Sequence, residues 1–431
     1  MRLVTTEIGC PLDGVHSLHK FLCAMYDSCA VQRNLYRKSR IIHRDISDNN
    51  IMFAPGTETY RQRNQKGYAD VKFINQVLAK DRSVEPDPAC LVINLGNGAD
   101  LTIERGTDVL KEQTGTPKFI ARSVSSGELL DYPSSEVTMP RMDGQLADYE
   151  QFMHTSEYRL FNNSGSAESE VEFAHRLFHD AESTFWVIAW TLARSIKAGS
   201  EEELEPHARF TTFFYIMSRH YPTLGNYDPR LVFSVSEKHW ESILHPDLVM
   251  LAPMLSRMFN YIQPEWAYRP QLNAEHVHEA LMRLLLAQIV MTTREGTNFD
   301  IDIGGRNAPP PPEGEDPLTQ SMTNSRSKSG TLSQATRSTE PQTSIIAGAS
   351  GSVGSPKTQN KSDFTAPDPS ALSQRMEDLK LGSRSASGNH SQRRDHPGQT
   401  LGPNARPFRP VGVASQALRT APACSVVTNR Q

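Results

Sequence analysis

The 431-residue chain has no long hydrophobic run. Its most apolar stretches, such as Leu284 to Val290, fall far short of the roughly 18 to 20 residues needed to cross a bilayer. Nor does an apolar segment follow Met1, as a secretory signal would require. The expectation is a soluble, intracellular chain, cytoplasmic or nuclear, with no membrane partner. Cysteine is scarce: Cys10, Cys23, Cys29, Cys90 and Cys424 make an odd number without a C-x-x-C pair. That argues against a disulfide framework and a structural zinc site, and leaves reduced thiols in packed positions. An excess of charge is also lacking, since 45 Lys and Arg face 49 Asp and Glu. Residues 301–431 carry a net +5 and the first 300 a net -9, neither of which signals a nucleic-acid partner. Aromatic residues nearly vanish late in the chain, where only Phe364 and Phe408 lie beyond residue 300, together with 14 of the 28 prolines. The core is therefore expected to end near residue 300. A segment opening with Pro309 to Pro312 and continuing in Ser, Gly, Thr and Gln cannot bury enough apolar area to offset its chain entropy, so 301–431 reads as a disordered tail.

Within the first 300 residues periodicity is informative. Leu18, Phe21, Leu22, Met25 and Cys29 form the stripe of an amphipathic helix. Short strands are expected at Ile41 and Ile42, at Ile51 to Phe53, and at Cys90 to Leu95, with the polar loop His43 to Asn50 between the first two. Residues 54–89 and about 125–172 read as surface insertions. From Ala181 to Ala193 the sequence AESTFWVIAWTLA is apolar on every helical face, and such a helix has to be surrounded by protein. Two more helices are expected, Leu248 to Ile262 interrupted by Pro253, and Ala274 to Val290 capped by Asn273. The fold class is mainly α with a few short strands.

The most specific signal is HRDISDNN, which sets His43, Arg44, Asp45 and Asn50 in the H-R-D-x-x-x-x-N spacing of the protein-kinase catalytic loop. Four such identities arise by chance in roughly one chain of this length in several hundred. In that arrangement Asp45 accepts or orients the proton of the attacking hydroxyl and Asn50 holds a magnesium ion. The second metal position, where a kinase has the D-F-G aspartate, is Asn94 in Asn94-Leu95-Gly96. Its amide oxygen can coordinate a cation but brings no charge. Ser47 stands where many kinases place a lysine.

The combination is narrower than a generic kinase. HRDIS, then Thr114-Gly115-Thr116 followed by Phe119-Ile120-Ala121, then HDAES from His179 to Ser183, resembles the fungal-type protein kinase family. The opening Arg2 to Leu12 is similar to that family's last N-lobe strand and hinge. The resemblance implies the helical C-terminal lobe of a Ser/Thr protein kinase, with ATP and magnesium as cofactors, a protein substrate or protein partner, and Thr114 and Thr116 in the activation segment. On this alignment the glycine-rich loop, the phosphate-binding lysine and its glutamate would precede Met1. Catalysis is then impaired unless those elements are borrowed from elsewhere or encoded by a lost upstream exon. The alternative is a pseudokinase-like or truncated lobe acting as a protein-interaction module. Ser123 falls where the family's glutamate anchors the activation segment. His276 and His278 are read as surface histidines rather than a metal pair, because i and i+2 on a helix face apart. Asp100 is read as a solvated loop residue.

Overall fold

A computed structural model describes residues 9–57, 60, 71–81, 83–103, 107–131, 137–153, 170–201, 203–225 and 227–310. The expected tail beyond residue 310, and residues 1–8 of the expected hinge, lie outside the described residues.

Helix α1 (Leu18–Ser39) starts where the Ser17 hydroxyl accepts the Lys20 N–H, satisfying one of the open donors of the first turn. It stops at Arg40, whose left-handed φ of 52° turns the chain into strand β2 (Ile41–Ile42). Helix α5 (Leu177–Ala193) is the buried core element anticipated from its composition. Phe185 and Trp186 are fully buried, and the Phe185 ring centroid lies 5.0, 5.6 and 5.8 Å from those of Trp186, Trp240 and Phe259. Burial of each large ring stabilises the fold by about 1.5 to 3 kcal/mol. Around α5 pack α1, helix α8 (Ala252–Ile262) and helix α9 (His276–Glu295). Pro253 opens α8 instead of interrupting a longer helix, because its missing N–H falls in the first turn where no intrahelical bond is lost.

The strands are two or three residues long. Strand β3 (Ile51–Phe53) lies between β1 (Cys10–Pro11) and β4 (Cys90–Val92), all antiparallel, with Ile51 opposite Val92. Strand β2 pairs with β5 (Ala99–Asp100). The catalytic-loop sequence therefore hangs between β2 and β3, two strands in different sheets.

Three expectations are corrected. The first insertion is not a surface appendage: Val71, Phe73, Ile74 and Val77 are buried, and helix α2 (Ile74–Ala79) lies against α1, where the Asn34 amide donates to the Val71 carbonyl at 3.0 Å. The second insertion likewise buries Met142 and Met153. His276 and His278 are buried, not surface residues, because each ring finds a polar partner inside the core. The Tyr261 hydroxyl lies 3.1 Å from His276 Nδ1, and Gln32 Oε1 2.9 Å from His278 Nε2. Folded structure also continues past residue 300. Strand β7 (Ile301–Ile303) pairs with β6 (Ser195–Lys197), and the buried Arg306 side chain reaches the Ala193 and Ile243 carbonyls and Glu203.

Candidate active site

The catalytic loop is held from below by a carboxylate in the first turn of α5. Asp180 Oδ2 accepts the His43 N–H at 2.7 Å and Oδ1 accepts the Arg44 N–H at 2.8 Å. Two successive N–H groups can point at one carboxylate only if the backbone turns sharply, and Arg44 takes a φ of 66°. For a residue other than glycine that conformation costs on the order of 1 to 3 kcal/mol, which the two charge-assisted bonds offset. Burial raises the Asp180 carboxyl above its usual range, against the opposing pull of His43 and of the N–H donors.

Side chains then fix the loop from within. His43 Nε2 donates to the Ile93 carbonyl at 2.9 Å and its Nδ1 accepts the Asp45 N–H at 3.3 Å. Asn50 Nδ2 donates to the Asp45 carbonyl at 2.7 Å. The buried Ser47 contributes its carbonyl, which accepts the N–H groups of Asn50 and Ile51, both at 3.1 Å. Arg44 Nη2 reaches the Val109 carbonyl at 2.9 Å and thereby ties the loop to the segment that follows β5.

Asp45 projects from this frame with both oxygens engaged. Thr116 Oγ1 donates to Oδ1 at 2.8 Å and Asn97 Nδ2 to Oδ2 at 3.2 Å. Gly115 brings Thr116 there. At its φ of 131° a Cβ would stand 3.0 Å from the Arg44 carbonyl oxygen, so a side chain would push the segment off the loop. Thr114, expected beside Thr116, instead has its hydroxyl buried without a hydrogen-bond partner.

The two metal positions expected from the sequence, Asn50 and Asn94, are adjacent. Asn94 adopts a φ of 65°, a left-handed conformation that asparagine tolerates, and its Nδ2 lies 3.4 Å from Asn50 Oδ1. Whichever way the amides are turned, the pair supplies no negative charge, whereas a magnesium ion of a phosphoryl-transfer site is held through carboxylates. Asp100 does not fill the gap, since its Oδ1 accepts from the N–H and hydroxyl of Thr102. Among the described residues no three of His, Cys, Asp and Glu gather into a cluster. The donor set does not fit a kinase magnesium pair.

A loop fixed to α5 through Asp180, an aspartate meeting a threonine from a Thr-Gly-Thr segment, and an asparagine bonded back across the loop agree with the match of residues 1–192 to the model of the family described as fungal protein kinase. Over residues 1–192 the chain is similar to the fungal protein kinase family. No curated protein and no solved structure matches the chain.

Past Thr116 the chain is fastened to α5 by side-chain contacts. Ser123, at the glutamate position, is buried with its hydroxyl 3.0 Å from His179 Nε2. The preceding residue takes over. Arg122 Nε donates to Glu182 Oε1 on α5 at 2.7 Å, its N–H joins the same oxygen at 3.0 Å, and its Nη2 reaches the Ile262 carbonyl at 2.6 Å. Asp180, Asn97, Arg122 and Glu182 are the residues that sequence reasoning did not single out. The HDAES string held two of them, and the acidic residue in the first turn of an otherwise apolar helix was the available signal.

Proposed function

We propose that this chain is a kinase-like lobe that presents an assembled catalytic-loop face to a protein and does not itself carry out magnesium-dependent phosphoryl transfer. The observation that carries the reading is the Asn94–Asn50 amide pair at 3.4 Å, standing where the metal-binding charge of a kinase belongs. Metal-based charge stabilisation contributes several kcal/mol to a transition state, and each 1.36 kcal/mol lost is tenfold in rate. Replacing the carboxylate by an amide therefore removes more than a hundredfold before any other departure is counted. ATP and magnesium, the cofactors of the resemblance, have no charged seat at Asn50 and Asn94.

A second reading is favoured by the other half of the site. Asp45 is oriented by Thr116 and by the bond from Asn50 to its own carbonyl, the geometry in which a carboxylate accepts the proton of a Ser or Thr hydroxyl. In that reading the lobe transfers the ATP phosphoryl group with Asp45 as base.

The test is a titration of the full chain with magnesium, with and without ATP, read by thermal midpoint and by phosphate incorporation into generic Ser/Thr substrates. Wild type is expected to show neither a magnesium-dependent rise nor incorporation, while Asn94→Asp gains the rise. A wild-type rise that disappears in Asn50→Ala overturns the first reading. Incorporation abolished by Asp45→Ala establishes the second.

A further inference from the structure

Beside the catalytic loop two cations share one aromatic ring. Lys118 Nζ lies 4.2 Å and Arg194 Cζ 4.9 Å from the ring centroid of Trp190, on α5. Lys118 follows Thr116, the partner of Asp45, by two residues. Asp48, three residues beyond Asp45, is the carboxylate that reaches both cations electrostatically, and Asp13 reaches Arg194. Neither carboxylate comes within the 4.0 Å of an ion pair with either cation, and among the described residues no hydrogen bond is made by Lys118 Nζ or by the Arg194 guanidinium. Arg194 Nε is buried with no partner at all. Both cations are half-buried, and burial lowers the proton affinity of each, an effect to which the neighbouring Arg194 adds at Lys118.

Packing alone does not account for this arrangement. One cation over the face of Trp190 gains the attraction of the ring. A second like charge beside it adds repulsion, and both have lost part of their hydration. The arrangement gains most when an outside anion accepts from both groups at once, since charge-assisted bonds strengthen as water is withdrawn. Lys118 stands two residues past Thr116, which donates to Asp45, and Asp48 of the catalytic loop lies in the field of both cations, so an anion held there sits at the edge of that loop.

We propose that Lys118 and Arg194 form a subsite for an anionic side chain, carboxylate or phosphate, of a peptide laid across the catalytic-loop face. The proposal rests on the reading that this face meets a protein, and holds whether or not phosphoryl transfer follows. Trp190 is the rigid floor that keeps the two cations together, and Asp48 is the internal carboxylate that the incoming anion displaces from their field.

Binding of the full chain to degenerate peptide libraries that differ in one fixed residue, Glu, phosphoserine, Gln or Lys, tests it. The Glu or the phosphoserine library is expected to be retained over the Gln library by about fivefold, the ratio one part-exposed charge pair supports. Which of the two leads separates an acidic from a phosphorylated partner. The preference should vanish in Lys118→Gln and in Arg194→Gln, with thermal midpoints checked, and persist in Lys80→Gln, a surface cation held by Asp148. Equal retention of Glu, phosphoserine and Gln libraries, with binding still abolished by Thr116→Arg, overturns the subsite and spares the protein-facing reading. A preference that persists in both Gln variants overturns the subsite as well. If no library binds, the protein-facing reading falls and takes the proposal with it.

Discussion

The catalytic loop and the 54–89 insertion are fastened by the same device with different compensation. Each hangs on a buried aspartate accepting two backbone N–H groups: Asp180 takes those of His43 and Arg44, at 2.7 and 2.8 Å, and Asp27 on α1 takes those of Ile74 and Ala89, both at 2.7 Å. Asp180 has cationic help, since Arg44 stands against it. Asp27 has none, and Asp87 adds a like charge, so burial pushes its carboxyl up to about 7. Two closely similar hydrogen-bond pairs thus stand in different charge surroundings, although burial raises both carboxyls. A count of bonds does not measure how firmly a loop is tied; the charges around the acceptor do.

The largest effect breaks the platform common to both fastenings. α1 and α5 pack on each other, and Phe185→Ala removes a fully buried ring from the cluster with Trp186, Trp240 and Phe259. The expected loss is about 3 to 5 kcal/mol, transfer energy plus the cavity left behind. That approaches the whole stability of a typical domain, so the variant should be insoluble or lack a cooperative thermal transition. A folded variant with an unchanged midpoint would show α5 to be peripheral.

Next comes the better-compensated anchor alone. Asp180→Ala leaves two buried N–H groups without acceptors, and Arg44 loses what held it at φ 66°. Each unsatisfied buried donor costs about 1 to 3 kcal/mol, so a loss near 3 kcal/mol is expected in chemical denaturation. Hydrogen exchange should rise at residues 43–50 while residues 71–79 stay protected. Equal loosening of both regions would contradict their separate fastening.

How much of this was legible beforehand follows from which interactions are local. HRDISDNN and the all-apolar turn of α5 are contiguous strings, and their spacing or composition announced the loop and the buried helix. The anchors are not contiguous. Asp180 meets His43 across 137 residues, and Arg33 meets Glu279 across 246 in a buried ion pair between α1 and α9. A polar residue inside a helix reads as a solvent-facing one until its partner is known, and the partners of His276 and His278, Tyr261 and Gln32, lie on other helices. The same reasoning misplaced the end of the fold, because Ile301 and Ile303 are too few to announce a strand whose partner, Ser195–Lys197, lies a hundred residues earlier.

The weaker fastening gives a pH-dependent prediction. Asp27 binds its proton more tightly in the folded state than unfolded, so its contribution to stability is complete below the unfolded value of 3.8 and is lost as pH rises through about 7. Asp27→Asn cannot ionise and escapes that loss, though its amide accepts less well from two donors. The difference in unfolding free energy between Asp27→Asn and wild type should therefore move in favour of the variant from pH 4 to pH 7.5, by about 2 kcal/mol, less than the full shift because the insertion can open locally. The buried histidines work the other way. Burial pushes His276 and His278 down to about 3, so their contribution falls as pH drops below 6.5 in both proteins and cancels in the difference. A difference that stays flat across this range would place Asp27 with the compensated carboxylates.

The smallest expected effect is at the neutral half of the site, in Asn94→Asp. Aspartate tolerates a φ of 65° nearly as well as asparagine does, and the bond given up is a long, part-buried contact of 3.4 Å. Without magnesium the cost should be under about 0.5 kcal/mol, as only that long contact with Asn50 is given up. With millimolar magnesium the sign should reverse, because a cation then meets a carboxylate and the Asn50 amide oxygen together. Isothermal titration of the variant and the wild type with magnesium reads both halves of this expectation. Magnesium binding of equal strength to the two proteins would mean that the Asn94 amide already seats the ion, and the contrast between a complete acceptor side and a discharged metal side would disappear.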